Sequence, residues 1–434
     1  MHRNRLTRRD WLRLGAAAAA LPLAAGCDAP SADGVTEIRY WTGWTGHELD
    51  VQKRLVAEFN RTHPGIRVRI LSVANAYQKV RIAFAGGATP DVCSAVWADE
   101  LAAYAMRGVL LPLDEFLHES GRSGEEWLPG LWRMLQYRNR AHGLVVTTNA
   151  SFIVFNKEIF REVGLDPERP PRTIEELDAA AWACTRIERD GSMSRYGLRP
   201  ADLNRWAYSF GGRWADEDGQ RITANHPRNV EALRWMASYG KRYDVRRMQS
   251  FEETFGRNTG ANGPFFTGKV AMWQTGEFAL EHLRRYAPDM EWGWFPYPAP
   301  PTGRENCVVT AGGSAFVIPA ATKHPREAWT FLDWLTRPHA VGEFCEGIAN
   351  LPPLRSLVGS ERFRKEPLFR FALDLAAGEN VFGPPVVPTW LRYKQEIQRA
   401  EEYAIFGGAD PQSLLDGVQA RVEQDLARAL REAA

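Results

Sequence analysis

The 434-residue chain carries none of the side-chain arrangements that are typical of catalysis. It has no Gly-x-Ser-x-Gly turn and no His-Glu-x-x-His helix, and its cysteines and histidines lack the spacing of metal ligands. The segment 263–270 resembles a phosphate-binding loop, but Val270 stands where a Ser or Thr is needed to hold magnesium. The sequence therefore predicts no catalytic residues, no metal and no cofactor, although its many carboxylates leave a glycosidase pair open.

Aromatic residues are the side chains whose placement points to binding. Several of the 16 tryptophans lie beside glycines or directly after predicted strands, rather than on helical stripes. Exposed aromatic faces suit flat, amphipathic ligands such as sugar rings, whose C–H faces pack on the ring while their hydroxyls need polar partners. The tryptophans placed in this way are Trp41, Trp44, Trp97, Trp206 and Trp273, and Trp390 lies in a Pro-rich loop.

Alternating strand and helix patterns must position these side chains. A β-α-β-α-β order predicts a doubly wound α/β domain with a parallel sheet, in which ligands bind at the carboxyl ends of the strands. The hydrophobic periodicity predicts strands over 35–41, 66–70 and 91–96, and helices over 48–60, 77–84 and 101–107.

A second alternating region begins near residue 143. Thr173, followed three places later by Glu176, predicts a capping box at the start of a helix. Farther along, the pattern predicts a strand over 308–319 and amphipathic helices over 325–336 and 414–430.

The N-terminal residues 1–26 are a targeting segment and take no part in the fold. Thr7–Arg13 resembles a twin-arginine export signal, and the apolar run that follows is too short to span a bilayer. Residues 23–27 resemble a lipobox, so Cys27 is expected to receive lipid, with 27–34 as a polar tether. The alternative is an ordinary secretory signal in which Cys27 is incidental. No later apolar run reaches the length of a transmembrane helix.

Charge and cysteine content exclude some classes of protein. Lys and Arg total 54 against 53 for Asp and Glu, a net charge of +1 that argues against nucleic-acid binding. Export would permit disulfides, but the sequence cannot choose among the possible pairings, and buried free thiols are equally compatible. The cysteines concerned are Cys93, Cys184, Cys307 and Cys345.

Over residues 35–434 the chain resembles the extracellular solute-binding proteins of ABC sugar importers, of the maltose and trehalose type. The order of the matching motifs carries the resemblance more than any single one. In chain order they are Tyr40–Gly46 with Glu48, Leu55–Ile70, Ala85–Gly87 with Pro90–Val92, Gly108–Asp114, Asn149, Phe155–Phe160, Gly164–Thr173, Phe266–Trp273 with Gly276, Gly312–Pro319, Ala328–Thr336 and Leu351–Pro353.

The resemblance implies a two-lobed periplasmic-binding-protein fold of type II, with a doubly wound sheet in each lobe, helices on both faces and a hinge between. The first lobe would comprise 35–148 and 310–348, and the second 149–309 and 349–434. It implies a monomeric, lipid-anchored binding protein on the extracytoplasmic face. This protein would capture a sugar or polyol by hinge closure and deliver it to an ABC permease.

Site residues follow from the resemblance by position. The first lobe would contribute Trp44, Trp97 and Asp99, and the first crossing Asn149. The second lobe would contribute Trp206, Trp273 and Glu277. The return crossing would offer backbone donors, and the far side would be closed by an aromatic and a cation. These last residues are Gly312, Gly313, Ser314, Trp390 and Arg392.

Three alternatives stay open at this point. An exported glycosidase would need two carboxylates about 5–10 Å apart in one cleft. A binding protein could take a non-sugar cargo, such as a glycerophosphodiester, a polyamine or a peptide. A sensor lobe for a membrane kinase would share the fold without a transporter.

Overall fold

The computed structural model describes residues 34–72, 75–216, 219–256, 260–310 and 313–433. The expected targeting segment, the predicted lipidation site Cys27 and the predicted site residue Gly312 lie outside these ranges. Within the described ranges, no helix combines the length and the apolar character needed to cross a membrane.

Strands and helices alternate along the described chain. The strands β1 to β14 are Thr36–Thr42, Ile66–Ser72, Val92–Trp97, Gln136–Tyr137, Arg140–Ala141, Leu144–Val145, Ser151–Asn156, Arg186–Ile187, Met193–Arg195, Met272–Gly276, Trp292–Phe295, Val308–Val309, Ser314–Val317 and Val381–Phe382. The helices α1 to α18 are Gly46–Thr62, Ala76–Gly86, Leu101–Met106, Asp114–Glu119, Pro129–Met134, Lys157–Glu162, Ile174–Ala183, Leu203–Ser209, Pro227–Tyr243, Val245–Phe255, Ala279–Tyr286, Pro325–Leu335, Pro338–Gly347, Arg355–Val358, Glu361–Arg364, Pro367–Ala376, Trp390–Ile405 and Pro411–Glu432.

The first lobe is built on a five-stranded sheet in the order β2-β1-β3-β13-β6. β1 pairs in parallel with β2 and with β3, whereas β13 runs antiparallel to β3 and β6. Ile38 and Tyr40 are buried in β1, while the alternate Arg39 points outward. The period-two alternation of β1 and the apolar face of α1 therefore produce the predicted β-α-β order.

The second lobe has a three-stranded antiparallel sheet in the order β10-β7-β11. β7 lies at its centre and all six of its residues are buried. Helices α9, α17 and α18 of the same lobe pack on one another. The expected two-lobed α/β fold is confirmed, with an antiparallel rather than a parallel sheet in the second lobe.

Three chain segments meet where the lobes join. The Thr148 N–H donates to the Leu351 carbonyl at 2.8 Å, and the Thr148 and Thr310 hydroxyl oxygens lie 3.2 Å apart. The Ser151 hydroxyl donates to the Val309 carbonyl at 3.0 Å. These contacts tie the crossing at residues 148–151 to the two return crossings, as a hinge between lobes requires.

Of the local patterns predicted in the later part of the chain, the capping box at Thr173 is present and the long strand over 308–319 is not. Thr173 caps α7 by accepting from the Glu176 N–H, while Glu176 accepts from the Arg172 N–H. The single strand predicted over 308–319 is wrong, because β12 pairs with β14 near the hinge and β13 joins the first sheet.

Cys93, Cys184, Cys307 and Cys345 are buried free thiols. Burial raises the pKa of Cys93 to about 12, so its thiol is held protonated. Among the described residues, none of these four cysteines forms a disulfide bridge, which answers the pairing question that the sequence left open.

Candidate functional site

An aromatic pair lies at the carboxyl edge of the first sheet. The rings of Tyr77, in the first turn of α2, and Trp97, the last residue of β3, are parallel within 2° and 4.5 Å apart. A hydrogen bond of 3.0 Å joins the Tyr77 hydroxyl to that of Ser314, which pairs with Trp97 across the sheet. Trp97 is 42% exposed, so it gives the pair an open aromatic face.

Glycine residues allow the pair to form. A Cβ on Gly43 would lie 3.1 Å from the Tyr77 ring, so a side chain there would require the ring to shift by a few tenths of an ångström. Gly313 has φ of +62° and its carbonyl accepts from the Ala98 N–H at 3.2 Å. The predicted residues Trp97, Gly313 and Ser314 are thus brought together, and Gly43 supports them.

Trp44 lies next to this group but is turned into the lobe. Its ring packs edge-on against Phe344 at 5.5 Å. The Trp44 N–H donates to the Thr42 hydroxyl, and its carbonyl accepts from Ser72. The indole nitrogen is buried and finds no partner among the described residues.

Asp99 follows Trp97 and reaches the second lobe. Its Oδ2 lies 3.8 Å from Nζ of Lys394, on the exposed face of α17. Burial raises the pKa of Asp99, an effect that the Lys394 charge opposes. The neighbouring Glu100 is paired instead with Arg81 from α2. Asp99 therefore connects the lobes as one member of an ion pair.

A chamber of about 470 Å³ lies between the lobes beside this ion pair. Phe84 and Tyr104 line it from the first lobe, and Leu391 from the second. Arg392 also lines it, with its Nε 2.6 Å from Oδ2 of Asp425. Asp99 and Arg392, predicted from sequence as site residues, thus border one cavity.

Two candidate site residues of the second lobe, Glu277 and Phe278, follow directly after β10. The Glu277 carboxylate is 2% exposed and accepts from the Ala150 N–H at 3.0 Å, next to Asn149 at the first crossing. Burial raises the pKa of Glu277 to about 7. Phe278 follows at once and is 50% exposed. The strand thus ends in a buried carboxyl group and an open aromatic ring.

Arg205 and Asp202 form a second polar group on this lobe. Glu401 from α17 accepts from the N–H groups of Asp202 and Leu203, which fixes the start of α8. Arg205, in the first turn of α8, then pairs with Asp202 at 2.9 Å. Arg205 also lies close enough to Glu277 to influence its charge.

Trp206, Trp273 and Trp390 do not lie where the sequence predicted. Trp206 packs between Trp235 and Tyr297, at 4.5 and 4.7 Å, and has no exposed surface. Trp390 is equally buried against Tyr393. Neither ring can touch a ligand in this conformation, so their binding roles have no support here.

Trp273 occupies a separate aromatic cluster within the second lobe. Its ring lies 5.7 Å from Phe265 and 5.5 Å from Phe266, and it stacks on His282 at 6.4 Å. It also borders a groove of about 760 Å³ with Tyr196 that belongs to this lobe alone. Its predicted contact with a cargo between the lobes is therefore not supported by its position.

Sequence reasoning missed four residues of the site. Phe278 could have been found as an aromatic residue directly after a strand, and Tyr77 as one at the start of a helix. The sequence around Lys394 and Arg205 has no pattern that marks them as site residues, because their positions depend on how the helices of the second lobe pack. In the described ranges, no group of three or more His, Cys, Asp or Glu residues could hold a metal ion.

Solved structures with this fold include sugar-binding proteins. CpMnBP1 with mannotriose bound has a TM-score of 0.77 and 26% identity, covering 89% of this chain and 99% of that one. The sugar-binding protein MalE from Xanthomonas citri has a TM-score of 0.75 and 24% identity, covering 91% and 98%.

Curated relatives point to the same kind of protein. The sn-glycerol-3-phosphate-binding periplasmic protein UgpB of Escherichia coli is 24% identical over 403 residues, which cover 86% of each chain. A putative binding protein of Brucella abortus is 24% identical over 381 residues, covering 84% of this chain and 87% of the relative.

Two lobes, a hinge of several crossings and open aromatic residues near the junction define a protein that captures a small ligand between its lobes. The family model for bacterial extracellular solute-binding proteins matches residues 48–341, and the chain belongs to that family. Proteins of this family act outside the cytoplasm with ABC permeases and are binding proteins rather than enzymes.

Proposed function

We propose that this protein captures a carbohydrate between its lobes and delivers it, chemically unchanged, to an ABC importer. The observation that carries the proposal is the stacked Tyr77–Trp97 pair, which offers an exposed aromatic face at the carboxyl edge of the first sheet. Phe278 supplies a second open ring from the other lobe. Such faces suit the C–H surface of a sugar ring.

Polar groups beside these rings can satisfy the hydroxyls of the cargo. Ser314 can donate and accept, and the Asp99–Lys394 pair offers both an acceptor and donors. Of the sequence-based assignments, we retain Trp97, Asp99, Asn149, Glu277 and Arg392 together with Gly313 and Ser314. We add Tyr77, Phe278, Lys394 and Arg205.

Capture would proceed by a shift in population between open and closed forms. A cargo that touches both lobes only in the closed form stabilises that form by its additional contacts. The hinge of this mechanism is the set of crossings at Thr148, Thr310 and Leu351. We infer that the permease then reads surfaces that closure aligns.

The mature protein is proposed to be a monomer anchored at the extracytoplasmic face through lipid on Cys27, after export by the twin-arginine-like segment. The sequence 23–27 and the polar tether that follows support this assignment. A solute-binding protein held at the membrane stays close to its permease, which raises the effective concentration of the cargo carrier.

The first test is a thermal-shift and tryptophan-fluorescence screen of residues 35–434 against mannose, mannobiose, mannotriose, maltose, trehalose, polyols and polyamines. A ligand at 100 times its Kd should stabilise the protein by about 2.7 kcal/mol. Recovery of intact ligand supports a binding protein, and cleaved ligand would show a glycosidase. No shift with any carbohydrate would contradict the proposal.

A second candidate cargo is a glycerol phosphate, because UgpB is named for binding sn-glycerol 3-phosphate. Arginines border the interlobe chamber, as a phosphate would need. Including sn-glycerol 3-phosphate in the same screen separates the two candidates.

A further inference from the structure

Carboxylates hold the basic side chains of the interlobe walls. Lys394 faces Asp99 at 3.8 Å, and Arg205 is bound to Asp202 at 2.9 Å. Each of these two cations therefore already has a counter-charge before any cargo enters.

The same pairing continues into the 470 Å³ chamber. Asp425 forms ion pairs with two arginines. Arg392 Nε lies 2.6 Å from Oδ2, and Arg428 Nη2 lies 2.8 Å from Oδ1. Arg81, on the opposite wall, is held by Glu100. The lining residues outside these pairs include one charge of each sign, Arg107 and Glu432, both exposed at the mouth.

This pattern has a consequence for the charge of the cargo. An anion that approached Arg392 would lie against the carboxylate of Asp425, and like charges at a half-buried site repel strongly. To bind well it would have to displace Asp425 from Arg392, which would leave that mostly buried carboxylate with Arg428 alone. A cationic cargo would meet the reverse difficulty at Lys394 and Arg392.

A neutral polyhydroxy cargo avoids both penalties. A hydroxyl donates to the carboxylate and accepts from the guanidinium or ammonium group, so it can join an ion pair without changing the local charge.

We propose that Asp99 and Asp425 are specificity-determining residues that make the interlobe site selective for electrically neutral, hydroxyl-rich cargo over phosphate esters. Asp99 does so by neutralising Lys394, and Asp425 by holding both Arg392 and Arg428 and offsetting one of their two charges. This inference rests on the proposed function, since it assumes that the cargo binds between the lobes.

The test removes the negative charge that holds a cation and measures whether phosphate then binds. Wild type, Asp99→Asn and Asp425→Asn are titrated by calorimetry with sn-glycerol 3-phosphate and with inorganic phosphate. Each substitution keeps the shape of the side chain but removes its charge. We expect no measurable phosphate binding by wild type and a gain in affinity of about tenfold or more in each variant.

Two further variants show whether the gain has the stated cause. Asp99→Asn combined with Lys394→Met should lose the gain, because the freed cation is gone. Glu168→Gln frees Lys157 from an exposed ion pair of 2.7 Å within the second lobe, away from the chamber, and should gain nothing. Thermal melting checks that each variant is folded.

The outcomes separate this inference from the proposed function. Tight binding of sn-glycerol 3-phosphate by wild type would overturn the inference, and so would folded Asp99→Asn and Asp425→Asn proteins that gain no phosphate affinity. If wild type binds no neutral carbohydrate in the screen while both variants gain phosphate binding, the proposed cargo is wrong but the charge selection stands.

Discussion

The hydroxyl oxygens of Thr148 and Thr310 lie 3.2 Å apart in the buried junction between the lobes. The two residues belong to different crossings, so their hydrogen bond connects the chain as it leaves the first lobe with the chain as it returns. A rotation of one lobe against the other must work around this fixed point.

Thr148→Val should therefore destabilise the protein by about 0.5–1.5 kcal/mol, because it removes a buried hydrogen bond between the two crossings. The double variant with Thr310→Val should lose less stability than the sum of the two single variants. Urea denaturation of all four proteins measures this coupling. Strictly additive losses would show that the hydroxyls do not depend on each other.

Trp97→Ala and Phe278→Ala should each weaken binding of the cargo found in the screen by about tenfold or more, since each removes an aromatic face. Their melting temperatures should change little, because about half of each side chain is exposed. Trp182→Ala is the matched control. Trp182 is also exposed but lies at the end of α7, stacked on Tyr243 of the second lobe. Equal losses in all three variants would argue against the assigned site.

Trp390→Ala should act on stability rather than on binding. The ring is fully buried against Tyr393, so its removal leaves a cavity and should reduce the free energy of unfolding by about 3–5 kcal/mol. Chemical denaturation measures the loss. A stable variant whose affinity alone falls would restore Trp390 as a ligand contact.

Glu277 should make stability depend on pH. Its pKa rises from 4.5 to about 7 on folding, so the folded state holds a proton that the unfolded state releases between these values. The stability that this protonation supplies is present at low pH and is lost as pH rises from about 4.5 to 7, by at most about 1.4 kcal/mol per pH unit.

Glu277→Gln replaces the titrating carboxyl group by a neutral amide and keeps an acceptor for the Ala150 N–H. As pH rises from 5 to 7, the unfolding free energy of wild type should therefore fall relative to that of Glu277→Gln. Comparing the two proteins cancels the similar contribution of Glu401, whose burial also raises its pKa to about 7. Parallel pH profiles would contradict the assignment.

Cys27→Ser should move the protein from the membrane fraction to the soluble extracytoplasmic fraction, because the lipid anchor can no longer be attached. Fractionation of cells expressing the full chain, followed by immunoblotting, measures this. A variant that stays with the membrane would show that Cys27 is not the anchor.

Periodicity was sufficient to predict the main elements of the first lobe. β1, β2, α1 and α12 lie within two residues or so of their expected bounds, because each has one buried face whose spacing is visible in the sequence. The strand expected over 308–319 divides in two because pairing partners depend on the tertiary fold. Whether a segment joins β14 or β3 leaves no trace in its own periodicity.

The site was harder to predict for a related reason. A tryptophan near a glycine or a loop can face a cleft, as Trp97 does, or fill the core, as Trp206 and Trp390 do. Local sequence does not distinguish these cases, because exposure is decided by residues distant in sequence, such as Trp235 and Tyr297 in the case of Trp206. The Asp99–Lys394 pair depends likewise on α17 folding back against the first lobe.

The four buried thiols have a consequence for the conditions in which the fold can form. Because Cys93, Cys184, Cys307 and Cys345 pack as apolar side chains and form no bridges, the described part of the fold needs no oxidation step. Its core can therefore form in a reducing environment as well as in an oxidising one. Burial also limits the access of oxidants and of exchanging thiols to these four sulfurs.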